Sequence, residues 1–138
     1  MTASYASLLQ GTTAPRLFSW RGDMDRDLVA EAQAAGWRGL ALDTTETGSM
    51  SAFYDQVAAA WDLPSWFGRN LDALFDVLAD LTVVPTVLVW DGLRQLADVD
   101  PIQASAVLDV LRDAVGQAPA FAVIVRDDLG VSGFDGLL

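Results

Sequence analysis

The sequence predicts a single α/β domain in which a small parallel β-sheet of three to four strands packs against helices. Three observations predict this fold class. Strand-like apolar stretches alternate with helix-like segments along the chain. Two of these stretches, Pro85–Trp90 and Ala120–Val125, are apolar nearly throughout, as expected for parallel strands covered on both faces. The chain has 138 residues, of which 52% are hydrophobic, and is therefore long enough to bury one core.

The N-terminal elements are predicted from short local patterns. Residues 1–15 are small and polar and are predicted to form a loose arm. Leu17–Trp20 is predicted to be a short strand. Asp23–Ala35 has an acidic first turn and is predicted to be a helix that ends at Gly36. Leu40–Asp43 is predicted to be a buried strand, so these segments indicate a βαβ unit.

The remaining elements follow from periodicity, capping residues and prolines. Ser49–Asp62 and Asn70–Asp80 are predicted to be helices, because their apolar residues recur with a 3.6-residue period. Asp91–Asp100 is predicted to be a polar loop or a partial turn. A helix begins at the Asp-Pro pair and runs over Pro101–Gly116. The last residues, Arg126–Leu138, are predicted to form a tail.

The chain is divided by these patterns into residues 1–36, an N-terminal extension, and residues 37–138, the main domain. The extension contains the predicted strand and helix, and its role stays open between two alternatives. It adds an edge strand beside Leu40–Asp43, or it makes a second contact site for a partner.

The amino-acid composition excludes several function classes. The chain has 19 Asp and Glu against 8 basic residues, all of them Arg, and a net charge of −11. Nucleic acid and anionic membranes are poor partners for such a protein, and a basic protein is a good one. Without His, Cys or Lys, the chain lacks the usual general base, thiol nucleophile and phosphate-loop lysine. We expect no enzyme activity and no cofactor.

One predicted helix carries a row of carboxylates. Asp72, Asp76 and Asp80 lie four residues apart on the face opposite the apolar stripe of this helix. Like charges at this spacing repel each other by a few tenths of a kcal/mol per pair (~0.2–0.5). A merely soluble helix mixes basic residues into such a row. The row is therefore either a solvated acidic surface or a binding face.

The loop before this helix carries two consecutive aromatic residues, Trp66 and Phe67, between a proline and a glycine. Two large rings are difficult to bury together in so short a loop. We expect at least one ring, Phe67, to fold back under the helix. An exposed aromatic ring beside carboxylates has the composition of an interface anchor.

The run Leu63–Asp76, with the sequence LPSWFGRNLDALFD, closely resembles the signature of the barstar family. In that signature Leu-Pro, two aromatic residues and Gly precede Asn-Leu-Asp-Ala-Leu, an aromatic residue and Asp. Pro85–Trp90 resembles the next strand of the family, and Val107–Ala114 its last helix. The resemblance extends over residues 38–126 and implies a barstar-like fold, a parallel sheet packed with helices.

The resemblance also implies a function, since the family inhibits guanyl-preferring secreted ribonucleases of the barnase type inside the producing cell. By motif, Asp76 enters the phosphate site of the nuclease, and Asp72 accepts hydrogen bonds near its base-binding loop. Trp66 stacks over the catalytic His of the nuclease, and Asp113 pairs with one of its Arg residues. The remaining partner-binding residues line or support the same face: Phe67, Gly68, Asn70, Leu71, Ala73, Leu74 and Asp80.

Four positions depart from the family pattern. Phe67 and Phe75 stand where barstar itself has Tyr and Trp, and Asp80 adds a charge at a position that is small there. Gln117 stands where a second acidic contact is expected. These departures concern the identity of the target ribonuclease more than the mode of binding.

The resemblance predicts a cytoplasmic monomer that forms a one-to-one complex with its nuclease, as an immunity protein does for a secreted toxin. Two other interpretations remain open. The acidic helix docks a basic protein that is not a ribonuclease, or Asp72, Asp76 and Asp80 form a carboxylate or metal site. The second is the weaker one, because ligands from one helix face seldom enclose an ion.

Overall fold

The computed structural model of the chain describes residues 3–127, 130 and 132–138. Helices and strands alternate along most of this described part. In chain order they are α1 (Tyr5–Leu9), β1 (Leu17–Trp20), α2 (Leu28–Ala34), β2 (Arg38–Asp43), α3 (Met50–Ala60), α4 (Leu71–Leu81), β3 (Thr86–Asp91), α5 (Leu93–Val99), α6 (Pro101–Gln117), β4 (Phe121–Arg126) and β5 (Asp135–Leu137). None of the helices described here is long and apolar enough to cross a bilayer.

The five strands form one sheet in the order β2-β3-β4-β1-β5, and every pair of neighbours is parallel. The predicted α/β class with a small parallel sheet is confirmed, although the sheet has one strand more than the three to four expected. The central strands β3 and β4 are buried along almost their whole length. Their continuous apolar sequences correctly indicated strands that are covered on both faces.

Each face of the sheet has its own hydrophobic core. On the first face, Leu88 and Trp90 of β3 belong to a large cluster with residues of α3, α4, α5 and α6. On the second face, Val87 and Val89 of the same strand belong to a smaller cluster with α1 and α2. Successive residues of β3 therefore point to opposite sides, as the pleat of a strand requires.

The predicted loose arm contains a helix instead, because two of its few apolar side chains lie one turn apart. Tyr5 and Leu8 of α1 are fully buried against the second face of the sheet. Ser4 caps the helix through a hydrogen bond from the Ser7 N–H to its side chain, and the Ser7 side chain accepts from the Ser4 N–H in return. A small, polar composition therefore concealed a helix with one buried side.

The N-terminal strand was predicted correctly, but the alternative in which it lies beside Leu40–Asp43 is wrong. Residues 17–19 of β1 pair with Val123–Val125 of β4, on the other side of the sheet from β2. Because β2 stands at the end of the strand order, it alternates between buried and exposed residues rather than being buried throughout. Leu40 and Leu42 are the buried ones.

The segment between β3 and α6, predicted to be a polar loop or a partial turn, contains the helix α5. Leu93 and Leu96 are fully buried one turn apart, and their burial stabilises a helix with many polar neighbours. Gly92 has a φ of 93°, which glycine adopts without strain, and this lets β3 turn directly into α5. The Thr44 hydroxyl donates to the carbonyl of Gly92 at 2.7 Å.

The expected C-terminal tail ends in a strand. Residues 135–137 pair with residues 18–20 of β1, and Leu137 is buried. The N–H of Tyr5 donates to the carbonyl of Leu138 at 2.5 Å, so the two ends of the described chain lie side by side. Such pairing depends on backbone groups of β1, and the local sequence of the tail therefore does not reveal it. Residues 128, 129 and 131 of the predicted tail lie outside the described residues.

Tyr5 provides a test of the smaller hydrophobic core, which lies on the second face of the sheet. Its hydroxyl donates to the carbonyl of Leu28 at 2.6 Å. Burial, with a further contribution from Glu31, raises the pKa of this phenol above its ordinary value of 10.0. The phenol therefore ionises less readily in the folded protein than in the unfolded chain. Its contribution to the free energy of unfolding is fully present below pH 10 and is lost as the pH rises above that value.

We expect Tyr5→Phe to lower the free energy of unfolding by about 1–3 kcal/mol at neutral pH, because the Leu28 carbonyl loses its buried donor. The difference from the unchanged protein should become smaller above pH 10, where only the protein with Tyr5 carries the ionisation penalty. Urea unfolding at neutral and alkaline pH measures both quantities. A difference that stays constant with pH would contradict the assigned burial of the phenol.

Candidate functional site

Helix α4 forms where the apolar period of the sequence predicts it. The Asn70 side chain caps the helix by accepting a hydrogen bond from the Ala73 N–H at 2.8 Å. Leu74 and Leu78 are almost completely buried on the inner side. Asp72 lies in the first turn, where the positive end of the helix dipole favours a carboxylate. The helix is therefore a rigid support for whatever its outer side displays.

The outer side of α4 displays Asp72, Asp76 and Asp80, which we call the acidic face. All three residues are exposed, and neighbouring members lie one helical turn apart, with Cβ atoms about 6 Å from each other. Among the described residues, none of the three carboxylates makes a hydrogen bond or an ion pair. Asp80 also lies in the last turn, where the negative end of the helix dipole disfavours it. Apart from the favourable position of Asp72 at the start of the helix, the acidic face therefore adds no stabilising contact to the free protein, and its like charges repel one another.

The loop before α4 separates its two aromatic rings. Trp66 is 82% exposed, whereas Phe67 is only 7% exposed and packs edge-on against Tyr54 of α3, with ring centroids 6.3 Å apart. The expectation that Phe67 folds back under the helix is confirmed. Burial raises the pKa of the Tyr54 phenol above its ordinary value, as expected for a ring that packs beneath the loop. Phe67 supports the loop from below and leaves Trp66 available for contact.

The residues between Phe67 and α4 are fixed by side-chain contacts. The Asn70 amide donates to the carbonyl of Gly68 at 2.5 Å. A Cβ atom at Gly68 would lie 3.2 Å from the Cβ of Ala73, which leaves little space for a larger residue. Arg69 has a positive φ and forms an ion pair with Asp55 of α3. Among the described residues, the guanidinium of Arg69 therefore pairs with Asp55 and forms no ion pair with the three carboxylates of the acidic face.

Helix α6 lies beside α4 and carries the remaining predicted contact, Asp113. This residue is exposed near the C-terminal end of α6. One turn further on, Gln117 lines a hollow of about 250 Å³ between the two helices, together with Ala114, Phe75 and Ala79. The exposed members of the predicted site lie on the loop before α4, on α4 itself and on α6, which packs against α4. Phe67 and Leu74 belong to the core below them.

Two supporting contacts were not predicted from the sequence, namely the packing of Tyr54 on Phe67 and the ion pair between Arg69 and Asp55. Both join α3 to the loop before α4, and no local pattern indicates them. The described residues include no cluster of three or more His, Cys, Asp or Glu side chains that could hold a metal ion. The arrangement is suited to contact with a basic surface rather than to bond making or breaking.

The cap of α4 gives a testable prediction. We expect Asn70→Ala to lower the free energy of unfolding by about 1 kcal/mol, because the Ala73 N–H loses its acceptor. Asn70→Asp is the matched control, since a carboxylate preserves the cap but removes the donor to the Gly68 carbonyl. Thermal unfolding of both variants measures the effect. Equal losses in the two variants would show that the loop tether, and not the cap, stabilises this end of the helix.

The fold and the site define a small parallel α/β protein that displays an unpaired carboxylate row and an exposed Trp on one surface. Comparison with known families identifies its family. Residues 37–126, more than half of the chain, match the model of the family described as Barstar (barnase inhibitor). The chain belongs to this family, whose members are inhibitors rather than enzymes.

A curated relative is similar to part of the chain. It is a Bacillus subtilis (strain 168) protein named "Putative ribonuclease inhibitor YrdF". The two sequences are 29% identical over 77 residues, which cover 56% of this chain and 85% of the relative. Elements α1, β1, α2 and β5 lie outside the region that matches the family.

Proposed function

We propose that this protein inhibits a guanyl-preferring ribonuclease by covering its active site with the acidic face and Trp66. The observation that supports this most directly is the unpaired carboxylate row on α4, presented by a helix and a loop that the core holds rigidly. In the family signature, Asp76 corresponds to the carboxylate in the phosphate site of the nuclease, and Asp72 to the one beside the base-binding loop. Trp66 stacks over the catalytic His, and Asp113 pairs with an Arg of the nuclease.

The physical basis of the proposal is mimicry of the substrate's charge. A ribonuclease active site is a concave basic surface that receives a phosphodiester. Carboxylates on a helix supply the negative charge at fixed positions but contain no bond that the nuclease can cleave. Hydrogen bonds from Arg and Lys to a carboxylate are about twice as strong as neutral ones. Because the carboxylates already stand in place, little conformational entropy is lost when the complex forms.

The charge of the whole molecule supports the same partner. A net charge of −11 accelerates encounter with a basic nuclease and disfavours binding to RNA itself. We further propose that the protein acts as a cytoplasmic monomer, in a one-to-one complex with a nuclease that its producer secretes. In that role it protects the producing cell before export of the enzyme, as an immunity protein protects against a toxin.

The test is a titration of the protein into barnase, with cleavage of a guanylyl dinucleotide as the assay. We expect inhibition that is complete at a one-to-one ratio and that weakens as the salt concentration rises, since ion pairs at the rim of an interface are screened. A pancreatic-type ribonuclease, assayed in parallel, is the specificity control. No inhibition of barnase at micromolar protein would contradict the proposal. In that case, a pull-down from lysate would test the other interpretation, in which the acidic helix docks a basic protein that is not a ribonuclease. Recovery of a basic protein without nuclease activity, at low salt but not at high salt, would favour it.

A further inference from the structure

The loop before α4 is joined to α3 by two contacts, one on each side of Gly68. Phe67 packs edge-on against Tyr54, with ring centroids 6.3 Å apart. Two residues later, the guanidinium of Arg69 forms an ion pair with the carboxylate of Asp55. Tyr54 and Asp55 are neighbours on α3, so both contacts attach the loop to the same turn of that helix. We call these two contacts the loop clamp.

The backbone of the loop has a conformation that depends on its surroundings. Arg69 has a φ of 30°, in the left-handed region that residues other than glycine seldom adopt. Such a conformation persists where neighbouring contacts enforce it. The N–H of Phe67 donates to the carbonyl of Pro64 at 3.0 Å and closes a turn that contains Trp66. The loop clamp therefore holds the stretch of backbone from which the exposed Trp66 ring projects.

The ion pair between Arg69 and Asp55 contributes little to the stability of the whole domain. The Arg69 side chain is 52% exposed and that of Asp55 is 63% exposed, and water and salt weaken exposed ion pairs. Arg69 also lines the same hollow as Asp72, the first carboxylate of the acidic face. A cation at this place reduces the negative potential that a basic partner meets. The presence of Arg69 is therefore better explained by the position that it gives the loop than by its charge.

We propose that Arg69 and Asp55 are positioning residues of the ribonuclease interface, which hold Trp66 in the orientation that contacts the nuclease. This inference rests on the proposed function. When the ion pair is broken, the loop populates other conformations, and the nuclease binds the fraction that still presents Trp66 correctly. The apparent dissociation constant rises in inverse proportion to that fraction. Phe67 stays anchored by its burial, so the loss of affinity is partial.

The experiment measures association and dissociation rates with barnase for the unchanged protein, Asp55→Asn and Arg69→Gln. The two substitutions change the net charge in opposite directions, since one removes a carboxylate and the other a guanidinium. If charge alone acted, Asp55→Asn would slow association with a basic nuclease and Arg69→Gln would accelerate it. Loss of the loop clamp instead weakens binding in both variants. We expect the dissociation constant to rise about threefold in each, the size of shift that an exposed ion pair produces in a conformational equilibrium.

Asp135→Asn is the matched control. Asp135 forms an ion pair with Arg16 of similar exposure, 54% for the arginine and 73% for the carboxylate. It lies on β5 at one end of the sheet, whereas α3 packs on β2 at the other end. This variant should bind barnase as the unchanged protein does. Thermal unfolding should give nearly the same midpoint for all three variants, because each loses only an exposed ion pair.

A double-mutant cycle with Trp66→Ala shows whether the ion pair acts through the ring. Once the ring is absent, neither Asp55→Asn nor Arg69→Gln should weaken binding further. NMR order parameters provide a second measurement, on the free protein. Those of the Trp66 and Arg69 N–H groups should fall in both loop-clamp variants and stay unchanged in Asp135→Asn. An ion pair with a merely structural role would not couple to Trp66 in this way.

The possible results separate the two proposals. If Asp76→Ala weakens binding but Asp55→Asn and Arg69→Gln do not, the positioning role is overturned while the proposed function stands. Opposite effects of the two loop-clamp variants on association would assign them to charge and would also overturn the positioning role. Equal losses with and without the Trp66 ring, or unchanged order parameters, would do the same. If the unchanged protein does not bind barnase, the proposed function fails and the positioning role fails with it.

Discussion

Replacement of Asp76 by alanine is expected to weaken inhibition of barnase by about 2–5 kcal/mol of binding free energy, the largest effect of any single substitution at the site. This range comes from buried ion pairs at other protein interfaces rather than from this chain. Asp76 stands in the middle of the acidic face, so in the proposed complex the nuclease would surround it most completely. Its loss leaves basic groups of the nuclease desolvated without a partner, and this penalty accounts for much of the effect.

The same substitution should leave the free protein slightly more stable, because Asp76 repels both Asp72 and Asp80 one turn away. Asp76→Asn retains the size of the side chain and tests whether charge or shape matters. Asp25→Ala is the matched control, since it removes one exposed carboxylate from the loop before α2 and changes the net charge equally. Inhibition constants and unfolding curves of the three variants separate binding from stability. Unchanged inhibition by Asp76→Ala would remove Asp76 from its assigned role.

Deletion of residues 1–36 is expected to have the largest effect on stability. The deletion removes α1, β1 and α2, and it exposes the apolar side chains of β3 and β4 on the second face of the sheet. Complete burial of each such side chain contributes about 1.5–3 kcal/mol. Val87, Val89 and Ile124 together therefore account for about 4.5–9 kcal/mol, which is comparable with the entire stability of a typical domain, about 5–15 kcal/mol.

We expect residues 37–138 alone to lack a cooperative unfolding transition and to bind a hydrophobic dye. Phe18→Ala in the full chain is the milder variant, with an expected loss of about 3–5 kcal/mol from a fully buried ring. Circular dichroism during thermal unfolding measures both. Cooperative unfolding of the shortened chain near the temperature of the full chain would show that the division at residue 36 is also a folding boundary. That division remains a prediction until this measurement.

Much of this fold could be predicted from sequence, because the responsible signals are local. The apolar runs of β3 and β4, the period of α3 and α4, and the cap and proline at the start of α6 each identify an element without knowledge of its neighbours. The order of the strands in the sheet could not be predicted from such local signals. β1 pairs with β4, which lies more than a hundred residues away in the sequence. No side-chain pattern in Leu17–Trp20 distinguishes pairing with β4 from pairing with β2.

The candidate site likewise has features that the sequence predicts and features that depend on tertiary packing. The spacing of Asp72, Asp76 and Asp80 follows from helix geometry once α4 is assigned, so their common face could be predicted. The burial of Phe67 against Tyr54 and the ion pair of Arg69 with Asp55 depend on how α3 lies beside the loop. Those contacts arise from tertiary packing, which a single sequence does not reveal. The sequence predicted that Phe67 is the ring that folds back, but it did not indicate the residue of α3 against which this ring packs.

The acidic face makes no contact within the described part of the molecule, and this separates what the protein recognises from what keeps it folded. Its side chains can be exchanged without a cavity, a lost cap or an unpaired buried group. The scaffold of α4 and α6 could thus be retargeted to a different basic surface through a few exterior substitutions. An engineer seeking new specificity would vary Asp72, Asp76 and Asp80 and leave the two cores untouched.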